Sequence, residues 1–419
     1  MSPKTKKILL IIIFVIVTIA IALVLYFVFF QPFVSPPEPP VAPPAVAPPV
    51  GLPEVPPALN IPVAPPSVNI PSVLPPEVTV PVTPTVPGPV ISPQASGGIT
   101  SFDTIETNPA QSPTLANNGR DLIYHDKETG FFYSITPDGE KQLFSDTTFK
   151  NVENVTWSPN TQKAVMEYPD GSNIIYDFQQ QRSVTLPAQW KDFTFSNTGE
   201  QIAFKDMRLD PENRYIAVAN TDGTGYRKIE KMGDNDESVY VDWAPNNQYI
   251  ALYSESIDGS RAEVYPIGFN SENFRKFRVE GRDLRFEWSP SGDKMVYSVF
   301  NSRSNYNPSL WVVNTNPELL ATGRNQLELN TWADKCTFAA ESTIYCAVPQ
   351  NLETGMGFRP DLANKTPDDI YKIDLTTGTK ELIAEPLYPS TINQIIISED
   401  GQYLYWIEQG TDQLKKMNL

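Results

Sequence analysis

From residue 98 onward, short apolar runs alternate with polar turns, and no run keeps the 3.6-residue period of a helix. One unit recurs: an apolar strand ending in a large residue, a small residue, a polar turn, and a second apolar strand. It stands at Leu115-Ala116, Trp157-Ser158, Phe195-Ser196, Trp243-Ala244, Trp288-Ser289, Phe338-Ala339 and Ile397-Ser398. The large residues run from 115 to 397, 282 residues over six intervals, or 47 per unit. The second strands are β-prone, as in Ile202-Ala203-Phe204, Met295-Val296-Tyr297 and Leu404-Tyr405-Trp406. Further strands follow around turns such as Asp222-Gly223 and Thr377-Gly378. Four short strands per unit and seven units predict an all-β fold, a seven-bladed β-propeller over residues 98–419. A β-sandwich would not need the same hairpin seven times. The last unit ends a strand short, and Ile99 to Ile105 is an apolar segment with no unit of its own. This N-terminal strand is expected to complete the last blade, since an open ring would expose two edges.

The first 97 residues follow other rules. Ile8 to Phe30 is an apolar run of 23 residues, long enough as a helix, at about 34 Å, to cross a bilayer. Lys4, Lys6 and Lys7 precede it, and the next basic residue is Arg120. The lysine asymmetry predicts a single-pass transmembrane helix over 8–30, a cytoplasmic N-terminus at 1–7, and an extracytoplasmic remainder. The run is too long for a cleaved signal peptide, and no small-x-small site closes it. Residues 31–97 hold 23 of the 41 prolines. They predict a polyproline II or disordered linker, a stalk.

The net charge of −17 falls on residues 98–419, because the three lysines and three glutamates before them cancel. A domain this acidic repels nucleic acid, which is excluded as a partner, and also anionic lipid surfaces. The two cysteines, Cys336 and Cys346, fall on the first and second strands of the sixth unit with a tight turn between. Outside the cytoplasm, such cross-strand neighbours are expected to form a disulfide.

The recurring turns resemble those of the TolB-type, WD-repeat-like propellers. Trp288-Ser289-Pro290-Ser291-Gly292-Asp293-Lys294-Met295-Val296-Tyr297 and Ser398-Glu399-Asp400-Gly401-Gln402 carry the resemblance, with Asp138-Gly139 and Asp222-Gly223 at a later turn. It covers residues 98–419 and implies a propeller. It implies no single activity, because propellers of this class serve as binding platforms, translocation-system parts and substrate gates. TolB itself has a separate N-terminal domain where this chain has an anchor and stalk, so its partners do not carry over.

Catalytic and cofactor motifs are few. The single histidine, His125, is read as a solvated loop residue after the second strand of the first unit. There is no Gly-x-Ser-x-Gly elbow, no Cys/His cluster for a metal, and no glycine-rich phosphate loop, so no catalytic residue, metal or cofactor is assigned. Trp157, Trp243 and Trp288 share a position that places them between blades as core. Asp242 and Glu287 precede that position, with Asp192 and Asp334 nearby, and are candidate channel acids.

The loops between second and third strands emerge on one face of a propeller. Lys205 to Arg214, Ser254 to Arg261, Asn301 to Ser309 and Gln350 to Asp369 are the long ones. They make Arg208, Asp210, Arg214, Asp258, Arg303, Tyr306, Leu352, Met356, Phe358 and Arg359 a candidate binding face. The function expected is membrane-anchored binding or scaffolding of a protein or cell-envelope ligand. The alternative is a propeller hydrolase or lyase that uses the channel carboxylates on an envelope polymer.

Overall fold

A computed structural model describes residues 93–272 and 274–419. The apolar run at 8–30 and most of the proline-rich stretch lie outside the described residues. Among those described, no helix is long and apolar enough to cross a membrane.

Seven sheets follow one another along the chain, each an antiparallel set of strands from one sequence unit, and the sixth and seventh each take one further strand from the N-terminal segment. Sheet one uses Ala110–Leu115, Leu122–Asp126, Phe132–Ile135 and Lys141–Leu143, and the others repeat this order. Seven apolar clusters hold the sheets together, each drawn from two successive blades. One joins Leu122, Tyr124 and Ile135 of blade one to Tyr405, Ile407 and Leu414 of blade seven, so the ring closes. Trp243 and Trp288 are buried, and Trp157 packs edge-on to Phe132 at 5.3 Å, as large residues filling the wedges. The inner strand of each blade is a sheet edge, which is why Pro113 is tolerated in blade one.

The recurring small residue has a local cause. The hydroxyls of Ser158, Ser196, Ser289 and Ser398 each accept a hydrogen bond from the backbone N–H five residues on, at 2.9–3.2 Å. This closes the turn between first and second strands. Three residues after the small one, the backbone takes positive φ in six blades: Gly119, Thr161, Gly199, Asn247, Gly292 and Gly401. Glycine does this without strain, which explains the Gly of the motif.

Asp103–Glu106 pairs antiparallel with Leu414–Asn418 as the outer strand of blade seven. The predicted strand Ile99 to Ile105 is not one piece, however. Ile99–Thr100 pairs parallel with the outer strand of blade six, and the chain then crosses to blade seven with Phe102 edge-on to Trp406 at 4.6 Å. The segment thus laces blade six to blade seven. Its far end is fixed to blade one. Glu106 accepts from Lys141 at 2.6 Å and from the Tyr124 hydroxyl, and Lys141 also reaches Asp126 at 3.2 Å. Burial pushes both carboxyls up, but these bonds, with the Asn108 and Thr129 N–H groups, outweigh it and hold them below the usual range.

Two further expectations need correction. His125 lies within the strand Leu122–Asp126 and is 1% exposed. Its Nε2 is 2.8 Å from the Phe149 carbonyl and its Nδ1 3.3 Å from Gln111 Oε1. Burial lowers its pKa, so it is a bridge across blade one and not a solvated loop residue. Ser254 to Arg261 is not a long loop either. The second and third strands of blade four run on as Tyr249–Asp258 and Arg261–Gly268, and only a tight turn links them.

Candidate functional site

Two regions gather the expected residues: the central channel and the face carrying the second-to-third-strand loops. In the channel, a cavity of about 470 Å³ is bordered by Asp192, Lys205, Asp242, Arg285 and Asp334. A second, of about 400 Å³, is bordered by Glu287, Asp334, Asn393 and Gln394. Four successive blades thus bring together acids from their inner strands, Asp192 and Glu287, or from residues flanking those strands, Asp242 and Asp334. Two of the four are already paired: Asp192 with Lys205 at 2.6 Å and Asp334 with Arg285 at 2.8 Å. Burial pushes the Asp242 carboxyl up to about 6. Burial, then the charges of Asp242 and Asp334, push Glu287 up to about 8. Glu287 is open to channel water, yet the surrounding ring limits the water that can solvate its charge. The two carboxyls are thus both raised, Glu287 further than Asp242. Among the described residues, no three His, Cys, Asp or Glu side chains gather closely enough to hold a metal ion.

On the loop face the candidates separate into two sorts. Those of blades three and four brace their own turns. Asp210 caps the turn Pro211–Asn213, Arg208 pairs with Asp206 at 3.1 Å, and Arg214 pairs with Asp236 at 3.0 Å. Asp258 pairs with Arg261 at 2.6 Å at the tip of its hairpin.

The loops of blades five and six instead form one unit. The Gly355 and Gly357 N–H groups donate to the Asn305 and Tyr306 carbonyls at 2.9 and 2.8 Å. The Met356 N–H donates to Asn307 Oδ1 at 3.2 Å, and Asn307 Nδ2 to the Leu352 carbonyl at 3.4 Å. A side chain at Gly357 would meet the Phe300 ring at 2.5 Å, so the sixth loop can come this close only with glycine there. Phe358 then sits edge-on to Phe300 at 4.6 Å and tilted to Tyr306 at 5.3 Å, and remains 50% exposed. Arg303 and Arg359 are exposed at the rim, Arg359 paired with Asp361 at 3.3 Å.

The root of the sixth loop is fixed as well. Cys336 and Cys346 form a disulfide across the first two strands of blade six, with Cα atoms 4.1 Å apart. Asp368, where the chain re-enters the sheet, accepts from buried Lys335 at 2.7 Å and from the Ile392 N–H at 2.7 Å.

Arg282, Phe300 and Asn307 complete this platform; Asn307 lies in a loop marked by its length but was not singled out, and Arg282 and Phe300 carried no sequence signal as site residues. Phe300 and Asn307 lie at or beside the fifth loop, where strand end and loop merge. Arg282 opens an inner strand, and only the cross-strand register, which pairs it with Phe300, brings it to the platform.

No model of a known protein family matches the chain, and no curated protein matches its sequence. Solved structures do match. The β-propeller domain of Myceliophteria thermophila Cps50 (Swd1) is 11% identical, with 76% of this chain and 99% of that chain covered and a TM-score of 0.51. An oligogalacturonate lyase in complex with manganese is 11% identical over 76% of this chain and 96% of that one, with a TM-score of 0.49. Kuenenia stuttgartiensis hydrazine synthase is 10% identical over 77% and 98%, with a TM-score of 0.47. At these identities the likeness is one of fold alone: the class is the seven-bladed β-propeller.

Proposed function

We propose that this chain is a membrane-anchored binding propeller, held outside the cytoplasm by its N-terminal apolar segment and spaced from the membrane by the proline-rich stretch. Its ligand is a protein or a cell-envelope polymer, engaged by the platform of blades five and six. One observation carries the binding half. Two loops from different blades are locked together by backbone bonds, yet they leave Phe358 half exposed at their summit. A loop that served only to cover its own blade would bury its aromatic residue. A rigid scaffold presenting an exposed aromatic residue is the usual architecture of a recognition surface. The topology half rests on the lysines before the apolar run.

A second reading, a hydrolase or lyase acting through the channel, has the raised Asp242 and Glu287 carboxyls in its favour. Against it, the neighbouring Asp192 and Asp334 are held in ion pairs.

A photo-cross-linking residue placed at position 358 of the full chain in intact cells tests the binding reading. Leu319, exposed on the opposite face of blade five, is the control position. Adducts from 358 and not from 319 are expected. Equal yields from both, or none from 358, would count against the platform.

A further inference from the structure

The platform reading leaves the chemistry of the ligand open, and one side chain narrows it. Arg282 opens the inner strand of blade five, and its guanidinium lies over the rings of Phe358 and Phe300, 5.4 and 5.9 Å from their centroids. Its Nε is shut off from solvent with no hydrogen-bond partner, and among the described residues no carboxylate lies within ion-pair distance of its terminal nitrogens. Acidic residues outnumber basic ones 49 to 32, and eight arginines, among them Arg285 and Arg324 of the same blade, have an acidic partner; Arg282 is not one of them. Arg303, on the adjoining loop, is exposed and has no acidic partner among the described residues.

A guanidinium fork stacked on aromatic rings and left without an acceptor is preorganised for a carboxylate. The apolar side of the site fits the rest of a peptide better than it fits a sugar. Arg282 lies over the Phe358 ring and Tyr306 leans against it, so little flat face remains for a sugar ring to stack on. What remains is the ring edge together with the part-buried side chains of Leu352 and Met356. Such surfaces pack against aliphatic or aromatic side chains.

Building on the platform reading above, we infer that the site takes an extended acidic peptide segment of a partner protein. A Glu or Asp carboxylate is held by Arg282, with Arg303 at the rim, and a large apolar residue beside it packs against Phe358.

The test uses the full chain, purified in detergent, and fluorescence anisotropy. One pool of short labelled peptides carries a glutamate beside leucine or phenylalanine. A matched pool carries glutamine instead, and an oligouronate supplies the carboxylate on a sugar. The acidic pool should bind about tenfold tighter than the glutamine pool, as a charge-assisted bond to an otherwise unpaired guanidinium implies. Arg282→Gln should abolish that preference, and Arg282→Lys should keep only part of it. Phe358→Ala should weaken both pools alike. Should Arg282→Gln lower the melting temperature, the preference is read from Arg282→Lys and from its decline between about 0.05 and 0.5 M salt. Equal binding of the two pools, or a preference that survives Arg282→Gln and salt, would overturn the inference. Binding of the oligouronate in place of the peptides, or no peptide binding at all, would overturn the peptide assignment. The platform reading would still stand or fall on cross-linking at position 358.

Discussion

Lys141→Ala should open the junction where the ring closes. Among the described residues, Lys141 alone is bonded to two carboxylates from different ends of the ring, Glu106 on the outer strand of blade seven and Asp126 on blade one. The two acids are 8% and 0% exposed and the lysine 28%. Removing one partner of a fully buried ion pair costs about 3–5 kcal/mol, because the charge left behind has neither water nor a counter-ion. Here the lysine is part-solvated, and Tyr124, Asn108 and the Thr129 N–H still serve the acids. The loss should therefore fall near the lower bound, about 3 kcal/mol, or over 100-fold in the unfolding equilibrium. Its pH dependence identifies the cause. Without Lys141, burial and mutual repulsion raise the folded-state pKa values of both acids above their unfolded values. The variant then loses stability as pH rises through those values and regains part of it on acidification. Urea unfolding of wild type and variant at about pH 5 and pH 7.5 measures both effects. Lys127→Ala is the control at the same junction. Its pair with Asp412, at 2.8 Å, is largely solvated, and its loss should cost under about 0.5 kcal/mol. A Lys141→Ala penalty as small as the control's, or one equal at both pH values, would refute the account of the clamp.

Phe102→Ala should cost about 2 kcal/mol by emptying the wedge beside Trp406, read as a lower urea midpoint. Intact-mass analysis after thiol alkylation should add no label to the denatured, unreduced protein and two labels after reduction. Reducing the bridge should cost under about 3 kcal/mol, since it closes so short a loop. Glu287→Gln should flatten the pH profile of the melting temperature. The raised carboxyl contributes stability below its unfolded pKa that is lost as pH climbs through about 8. The variant should therefore gain on wild type between pH 5.5 and 8.5, and a parallel profile would contradict the assignment.

The blades were legible because each repeats the same hairpin, and the hairpin's Ser, Gly and large apolar residue each answer a local need for a turn bond, a positive φ and a filled wedge. What escaped reading depends on partners distant in sequence or on surfaces without a pattern. His125 looks like a polar strand end until Phe149 and Gln111 are brought to it. The blade-four hairpin beyond Tyr253 is solvated on both faces, so Ser254-Glu255-Ser256 shows no apolar alternation. The N-terminal segment divides at Ser101-Phe102 because it serves two blades, which no single-strand pattern encodes. At the site, length alone marked the loops of blades five and six. Arg282 could not be found that way, since its role comes from the register that sets it against Phe300.

The measurement that bears most directly on the central claim is thiol labelling of the full chain in intact cells with a small membrane-impermeant maleimide. Both native cysteines are bridged and no free thiol competes, so single cysteines introduced as Leu319→Cys and Phe358→Cys report alone. For an extracytoplasmic propeller whose platform is occupied, position 319 labels as fast in cells as in purified protein. Position 358 labels several-fold more slowly in cells and recovers on purification. Labelling of neither position until the membrane is broken would contradict the location, and equal rates for 358 in cells and in purified protein would contradict the occupied platform.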